Sequence, residues 1–489
     1  MSSIAANHTA PLLSGTRDSH HTILLVGAAC AFGLLLATLE ASSIVVIPAF
    51  ACFLAILIKP EFGLYIFVVS LFMPVPHVGS FVIYPHDIAA VALIFSSFLH
   101  ALARRDMELP PLYYLLPALA LVAAKMLSLL NAQLFTAAAT GVVQQFYMTV
   151  LVLWALFLLL RDEKVMRRAL RLFMVMITLE ALLIAAQFIL SRTGNYTLIE
   201  IFAFDRHTFG SRQRVFGTIG PSVALLLAAA MILWFNSEKP YSVKLPFLML
   251  SFFAILATCV RSAILGLAVA FIFYTVFTRR RNLSIKLIVP GIAGLALFVM
   301  IFGFSSFLDG LHHPSDSRFR LPMDRLALSR VPDHPFVGHG SKAASRLSIR
   351  SAGRIKVGVE NEYAARIYEN GIIGLSALLI FGSVPMLYGI RTMRRTLVPP
   401  AEGNDIQCEK LDAPVKPEDT HDARGERGRS ETPDRPRLKL AMLAAACAAI
   451  VVGIYSAGPA GCIFEGAIGQ WTVFFYACML AATAGVVKR

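Results

Sequence analysis

Apolar residues recur along this chain in blocks of roughly 17–25, the length that crosses about 30 Å of hydrocarbon, from Thr22 almost to the last residue. The blocks predict spans at approximately 22–40, 42–58, 62–75, 87–103, 112–130, 137–160, 171–190, 216–235, 245–260, 262–278, 286–304, 371–390, 438–457 and 468–486. Nothing alternates at the period of a barrel strand, and lipid leaves backbone groups no partner outside a helix. The pattern therefore predicts an all-α polytopic transmembrane helix bundle of about 12–14 spans. Polar stretches divide it into a disordered tail (1–21), a bundle (22–304) that includes an outer loop at 191–215, and a large, mainly helical extracytoplasmic loop at 305–370. A span at 371–390, a disordered linker at 391–437 and a last pair of spans within 438–489 complete the division.

Composition sharpens this only a little. The chain is 57% hydrophobic and 15% charged, which excludes an ordinary soluble globular class. Its seven cysteines are scattered, with no CxxC pair, so neither a disulfide framework nor a thiolate metal site is expected. Charge changes the picture more. The short basic connections at 103–106, 161–168, 278–281 and 391–395, and the terminal Lys488-Arg489, fall on one side of the predicted bundle. By the positive-inside bias that side is the cytoplasm, where both termini also lie.

Two loops on the other side oppose that bias. The 191–215 loop carries Arg192, Arg206, Arg212 and Arg214; the 305–370 loop carries nine Lys and Arg residues between 306 and 358 against four Asp. Guanidinium forks bind phosphate oxygens bidentately, so a phosphate-bearing substrate is the simplest account, and contact with anionic lipid headgroups is the alternative. In "SKAASRLSIRSAGRIKVG" the basic residues Lys342, Arg346, Arg350 and Arg354 recur every fourth position. On a helix that spacing builds one cationic ridge, with Leu347 and Ile349 on an apolar flank. Next, "VGVENEYAARIYENGIIGL" sets Glu360, Asn361, Glu362, Arg366, Glu369 and Asn370 at the mouth of a span. There Glu362 and Arg366 are spaced for an i,i+4 pair, Tyr363 for an interface anchor, and Gly371 and Gly374 for a break in the helix.

The order Asn361, Tyr363, Glu369, Gly371, Ile372, Ile373, Gly374, Leu375 after a long outer loop resembles the O-antigen ligase and polysaccharide polymerase superfamily of bacterial membrane glycosyltransferases. "RLALSRVPDHPFVGHG" from Arg325, "RVFGTIGPSVALLLA" from Arg214 and "CVRSAILGLAVAFI" from Cys259 are similar to further motifs of that family, and the resemblance covers about 205–390. Two departures stand out. Glu360-Asn361 replaces the His-Asn usual in the ligases, and Ser222 follows Pro221 where Asn is common.

The resemblance implies transfer of a glycan from a polyprenyl-diphosphate carrier on the outer face of the bacterial inner membrane. Arg214 and Arg261, at outer ends of spans, and Arg320 and Arg325 from the loop are then the expected diphosphate contacts, with Arg346 and Arg350 of the ridge beside them. Glu360 is the candidate general base, with an ion pair to a loop arginine as its other reading; His334 is the fallback base, or simply part of a turn. Asn361 and Tyr363 are candidate substrate contacts. No cofactor, metal or nucleic acid is expected, since no HExxH or HxxxH spacing occurs. Partners would be lipid-linked oligosaccharide and membrane lipid, with room for a chain-length regulator and export machinery. Without His-Asn, polymerase is the first reading and ligase the second. A flippase is a third, for which Lys125, Glu180 and Pro221 are the few residues placed suitably within spans.

Overall fold

The computed structural model describes residues 59–72, 85–104, 107–192, 223–258, 260–278, 314–351, 354–359, 361–397, 435–456 and 467–488, with a few isolated positions and two short strand pairs between them. The expected spans at 22–40, 42–58 and 286–304 lie almost wholly outside these residues, as do the tail and positions 398–434 of the linker.

Within them the helices are α1 (Pro60–Ser70), α2 (Pro85–Arg104), α3 (Leu112–Ser128), α4 (Phe135–Leu160), α5 (Glu163–Arg192), α6 (Val223–Asn236), α7 (Tyr241–Thr258) and α8 (Arg261–Thr278). The cap helix α9 (Pro314–Ser329) follows, then α10 (Glu362–Leu397), α11 (Arg435–Ser456) and α12 (Ala467–Lys488). Seven of these helices are long and apolar enough to cross a membrane. The protein is an all-α polytopic bundle, and each predicted span from 62–75 onward, save 286–304, has its helix.

Two boundaries move for local reasons. Helix α5 starts at Glu163 rather than near 171, with a Glu163–Arg167 pair at 2.7 Å closing its first turn. Helix α10 runs on to Leu397, because Arg394 and Arg395 suit the negative end of a helix.

Antiparallel strand pairs are formed by β1 (His77–Val78) with β2 (Phe81–Val82), β3 (Thr208–Phe209) with β4 (Arg212–Gln213), and β5 (Ser348–Ser351) with β6 (Arg354–Val357). The last pair corrects the expectation of a helix over 342–354. The run "SIRSAGRIKV" alternates β-branched and polar residues around a two-residue connection, which is the pattern of a hairpin, and that pattern wins over the fourfold spacing of the cations.

The bundle core forms where helices are apolar on every side. Every residue from Thr472 to Thr483 of α12 is buried, as expected of a central helix. Phe381 of α10 stacks on Tyr476 at 4.9 Å and Phe173 of α5 meets Phe475 edge-on at 5.2 Å. Helices α8 and α11 touch backbone to backbone: a Cβ on Gly266 would stand 2.8 Å from the Gly453 carbonyl, so small residues set that approach. A second, smaller core lies in the cap. Met323, Ala327, Ala344, Leu347, Val359, Ala364, Ala365 and Tyr368 pack together there, joining α9 and the hairpin to the first turns of α10.

Candidate functional site

Helix α10 is two helices joined at a kink. Gly371 has φ 64° and ψ −166°, outside helical space and in a region that favours glycine. A break here strands four backbone groups: the carbonyls of Tyr368 and Glu369 lose the N–H groups of Ile372 and Ile373 that would have served them. All four are taken up by one loop. His339 N donates to Tyr368 O at 2.9 Å and Gly340 N to Glu369 O at 3.0 Å, while Ile372 N donates to Pro335 O at 2.9 Å and Ile373 N to Phe336 O at 3.3 Å. The "PFVGHG" segment is thus a splint for the broken helix. A Cβ on Gly371 would overlap the Phe336 carbonyl, and one on Gly338 would overlap the Glu369 carbonyl.

The turns just before the kink carry the polar cluster, and they are buried: Glu362 is 3% exposed, Arg366 6%, Glu369 6% and Asn370 1%. Each has a defined partner. Arg366 Nε donates to Glu362 Oε1 at 2.6 Å, and Ala344 N donates to Glu369 Oε1 at 3.1 Å. Asn370 Nδ2 donates to Ser128 Oγ at 3.0 Å, and Asn131 Nδ2 to the Gly338 carbonyl at 3.1 Å. Buried charges persist only when paired and hydrogen-bonded, so this cluster fixes the cap to the ends of α3 and α10 rather than floating above them.

Asn361 caps α10: its Oδ1 accepts from Tyr363 N at 3.1 Å and Ala364 N at 3.3 Å, and its Nδ2 reaches Asp324 Oδ2 of α9 at 3.4 Å. Tyr363 is half-buried and its hydroxyl donates to the Tyr455 carbonyl at the end of α11, 2.6 Å away. Both residues hold the start of α10 in place.

His334 lies in the turn after α9, where its carbonyl accepts from Gly338 N at 2.9 Å and its ring meets His339 edge-on at 4.8 Å. His339, which the sequence did not single out, stacks on Tyr368 at 4.4 Å and bonds the Arg330 carbonyl through Nε2 at 2.8 Å. Among the described residues no group of three His, Cys, Asp or Glu side chains gathers to hold a metal.

Glu360 and Arg214 lie outside the described residues. Arg261 opens α8 and Arg320 sits within α9, both placed by their backbone alone. Arg325 near the end of α9 and Arg346 are exposed on the cap. The expected ridge is split. Lys342 occupies a left-handed turn at φ 66°, Arg346 a 3-10 turn, and Arg350 pairs with Ile355 while Arg354 pairs with Ser351, which puts those two arginines on opposite faces of the hairpin. Leu347 enters the cap core instead of forming a membrane-facing flank. Of the residues considered for transport, Glu180 is buried within α5, Lys125 is partly exposed on α3, and Pro221 is outside the described residues.

The Glu362–Arg366 pair of α10 was legible from sequence; the capping role of Asn361, the Tyr363 bond to α11 and the splint loop were not. Its signal was the pair of glycines at 338 and 340 with the glycine at 371, three left-handed positions that come together only in space.

Residues 246–379 match the family model described as O-antigen ligase (Wzy_C). The matched stretch starts within α7, takes in α8, the whole described cap and the kink, and ends midway along α10. It supports an O-antigen ligase-like superfamily over those residues, while the motif at Arg214 precedes it. A comparison with curated proteins finds no match.

Proposed function

We propose, with the O-antigen ligase-like segment as premise, that this protein is an inner-membrane glycosyltransferase that polymerises polyprenyl-diphosphate-linked oligosaccharide units on the outer face of the membrane. The observation that carries this reading is that the matched stretch contains both the basic cap and the broken helix to which the cap is fastened. A cap bonded to a kinked span offers a rigid polar surface at the level where a lipid carrier presents its headgroup.

In the reaction, an acceptor hydroxyl oxygen forms a bond to the anomeric carbon as the bond from that carbon to the diphosphate oxygen breaks. The electron pair leaves with the polyprenyl diphosphate and the hydroxyl proton passes to Glu360. Charge builds on the departing diphosphate, so cations fixed in advance supply the main acceleration. Arg214, Arg261, Arg320 and Arg325 are assigned that role in place of a metal ion. Attack opposite the leaving group inverts the anomeric centre. Asn361, the next residue in the chain after Glu360, caps α10. The cap then faces away from the cytoplasm, with both termini inside.

A second reading is favoured by the description of the matched family: as a ligase, the protein would pass the lipid-linked glycan to a different acceptor, such as a lipid A core. One reconstitution separates these. Purified protein in liposomes, given a polyprenyl-diphosphate oligosaccharide, should release polyprenyl diphosphate and give a ladder of longer glycans, and Glu360→Gln should lose both. Turnover only when a second acceptor is supplied would make it a ligase. Lipid movement without cleavage would overturn the enzyme reading in favour of a flippase.

A further inference from the structure

Helix α5 is exposed along one line of its surface. Lys164, Arg168 and Arg171 open that line, and steps of three and four residues carry it on through Val175, Leu179 and Leu182 to Ile189. The opposite line, from Val165 and Met166 to Phe188, is buried in the bundle. From Val175 to Ile189 the rise is about 21 Å, so the apolar part of the line runs beside acyl chains and the three cations come at its headgroup end. Those cations themselves extend over about 10 Å, or about two turns of helix.

Four acids at this end of the bundle are engaged elsewhere. Glu163 holds Arg167 at 2.7 Å, Glu108 holds Arg161 at 2.7 Å and Glu238 holds Lys439 at 2.9 Å, while Asp162 Oδ1 accepts from the Lys164 amide at 2.8 Å. Lys164, Arg168 and Arg171 have no side-chain partner among the described residues. Nor does the helix account for them. They stand at the start of α5, where the macrodipole is positive, whereas Arg394 and Arg395 close α10 at a negative end. From this unneutralised triad, in line with a lipid-facing stripe, we infer that α5 carries a binding site for a phospholipid with two phosphate groups. Its phosphates rest on Lys164, Arg168 and Arg171 and its acyl chains lie along Val175 to Ile189. Guanidinium forks take phosphate oxygens bidentately, and a single phosphodiester would leave two of the three charges unmatched. The site is at the far end of the bundle from the cap and does not depend on the proposed glycan transfer.

The full chain in detergent, titrated with tetraoleoyl cardiolipin, dioleoyl phosphatidylglycerol or dioleoyl phosphatidylcholine and read by native mass spectrometry, tests this. The parent should prefer cardiolipin to either of the others by at least about tenfold. Arg168→Gln and Arg171→Gln should each weaken cardiolipin binding about fivefold, and both together with Lys164→Gln about a hundredfold. Arg391→Gln with Arg394→Gln and Arg395→Gln removes as much charge from another exposed helix end, and should change it less than about twofold. The three α5 side chains are outside the core, so the lipid-free melting temperature should stay at the parent's value; added cardiolipin should raise it in the parent and not in the triple α5 variant. Should that variant fold poorly, the two single variants carry the same test. Equal binding of cardiolipin and phosphatidylglycerol, or equal losses from the α5 and α10 variants, would mean diffuse attraction to anionic lipid and overturns the site. Cardiolipin binding unchanged in the α5 variants overturns it as well.

Discussion

The two ends of the bundle use charge in opposite ways. At the end where α4 finishes and α11 begins, Glu108 meets Arg161 at 2.7 Å and Glu238 meets Lys439 at 2.9 Å. Both pairs are open to water: Glu108 is 55% exposed, and Glu238 and Lys439 are 63% and 46% exposed. At the other end, where α4 begins and α11 finishes, Glu362 and Arg366 are paired out of water and bound into the cap. Surface pairs contribute little to stability, whereas a buried pair is expensive to break because the survivor is left uncompensated. The comparison teaches where precision resides: one end is fastened loosely by water-exposed charge pairs, the other by buried groups held in defined hydrogen bonds.

The sharpest way to break this contrast is Gly371→Ala. A left-handed alanine and its overlap with the Phe336 carbonyl should together cost about 4 kcal/mol or more and release the splint, seen as a large fall in melting temperature and protease cutting within 330–345. Next in size, Arg366→Met should cost about 3 kcal/mol by stranding the Glu362 carboxylate, and Glu362→Leu with Arg366→Met should recover much of it. A double variant no better than the single one would show that the pair is not the unit of stability. Asn361→Ala removes a cap and should cost about 1 kcal/mol in thermal unfolding. Its glycan transfer should fall further than that loss explains if the cap also positions Glu360.

At the opposite end, Lys439→Met should change stability by no more than about 0.5 kcal/mol at neutral pH. Hydrogen bonding and proximity to Lys439 hold the Glu238 carboxyl below the usual carboxylate range. A depressed folded-state pKa gives stabilisation that is present above the carboxylate's unfolded pKa and lost as pH falls through the folded value. The small difference between parent and variant should therefore shrink and disappear as pH falls below the usual carboxylate range. A difference as large as that at Arg366 would dissolve the distinction between the two ends.

The amino-acid sequence by itself determined the membrane bundle, the position of nearly every described span, the i,i+4 pair of Glu362 with Arg366, and a break at Gly371. These follow from composition, hydropathy and spacing within a few turns, which are local properties of a chain. It misjudged 348–357, where cations at helical spacing concealed the alternation of a hairpin. The tertiary structure alone decided what happens at the break. The groups stranded by Gly371 find partners some thirty residues earlier in the chain, and Asn370 and Gly338 find theirs at Ser128 and Asn131, 242 and 207 residues away. A broken helix announces itself in sequence, but the donors and acceptors that satisfy it are chosen by which segments the fold brings alongside, and no local pattern encodes that choice.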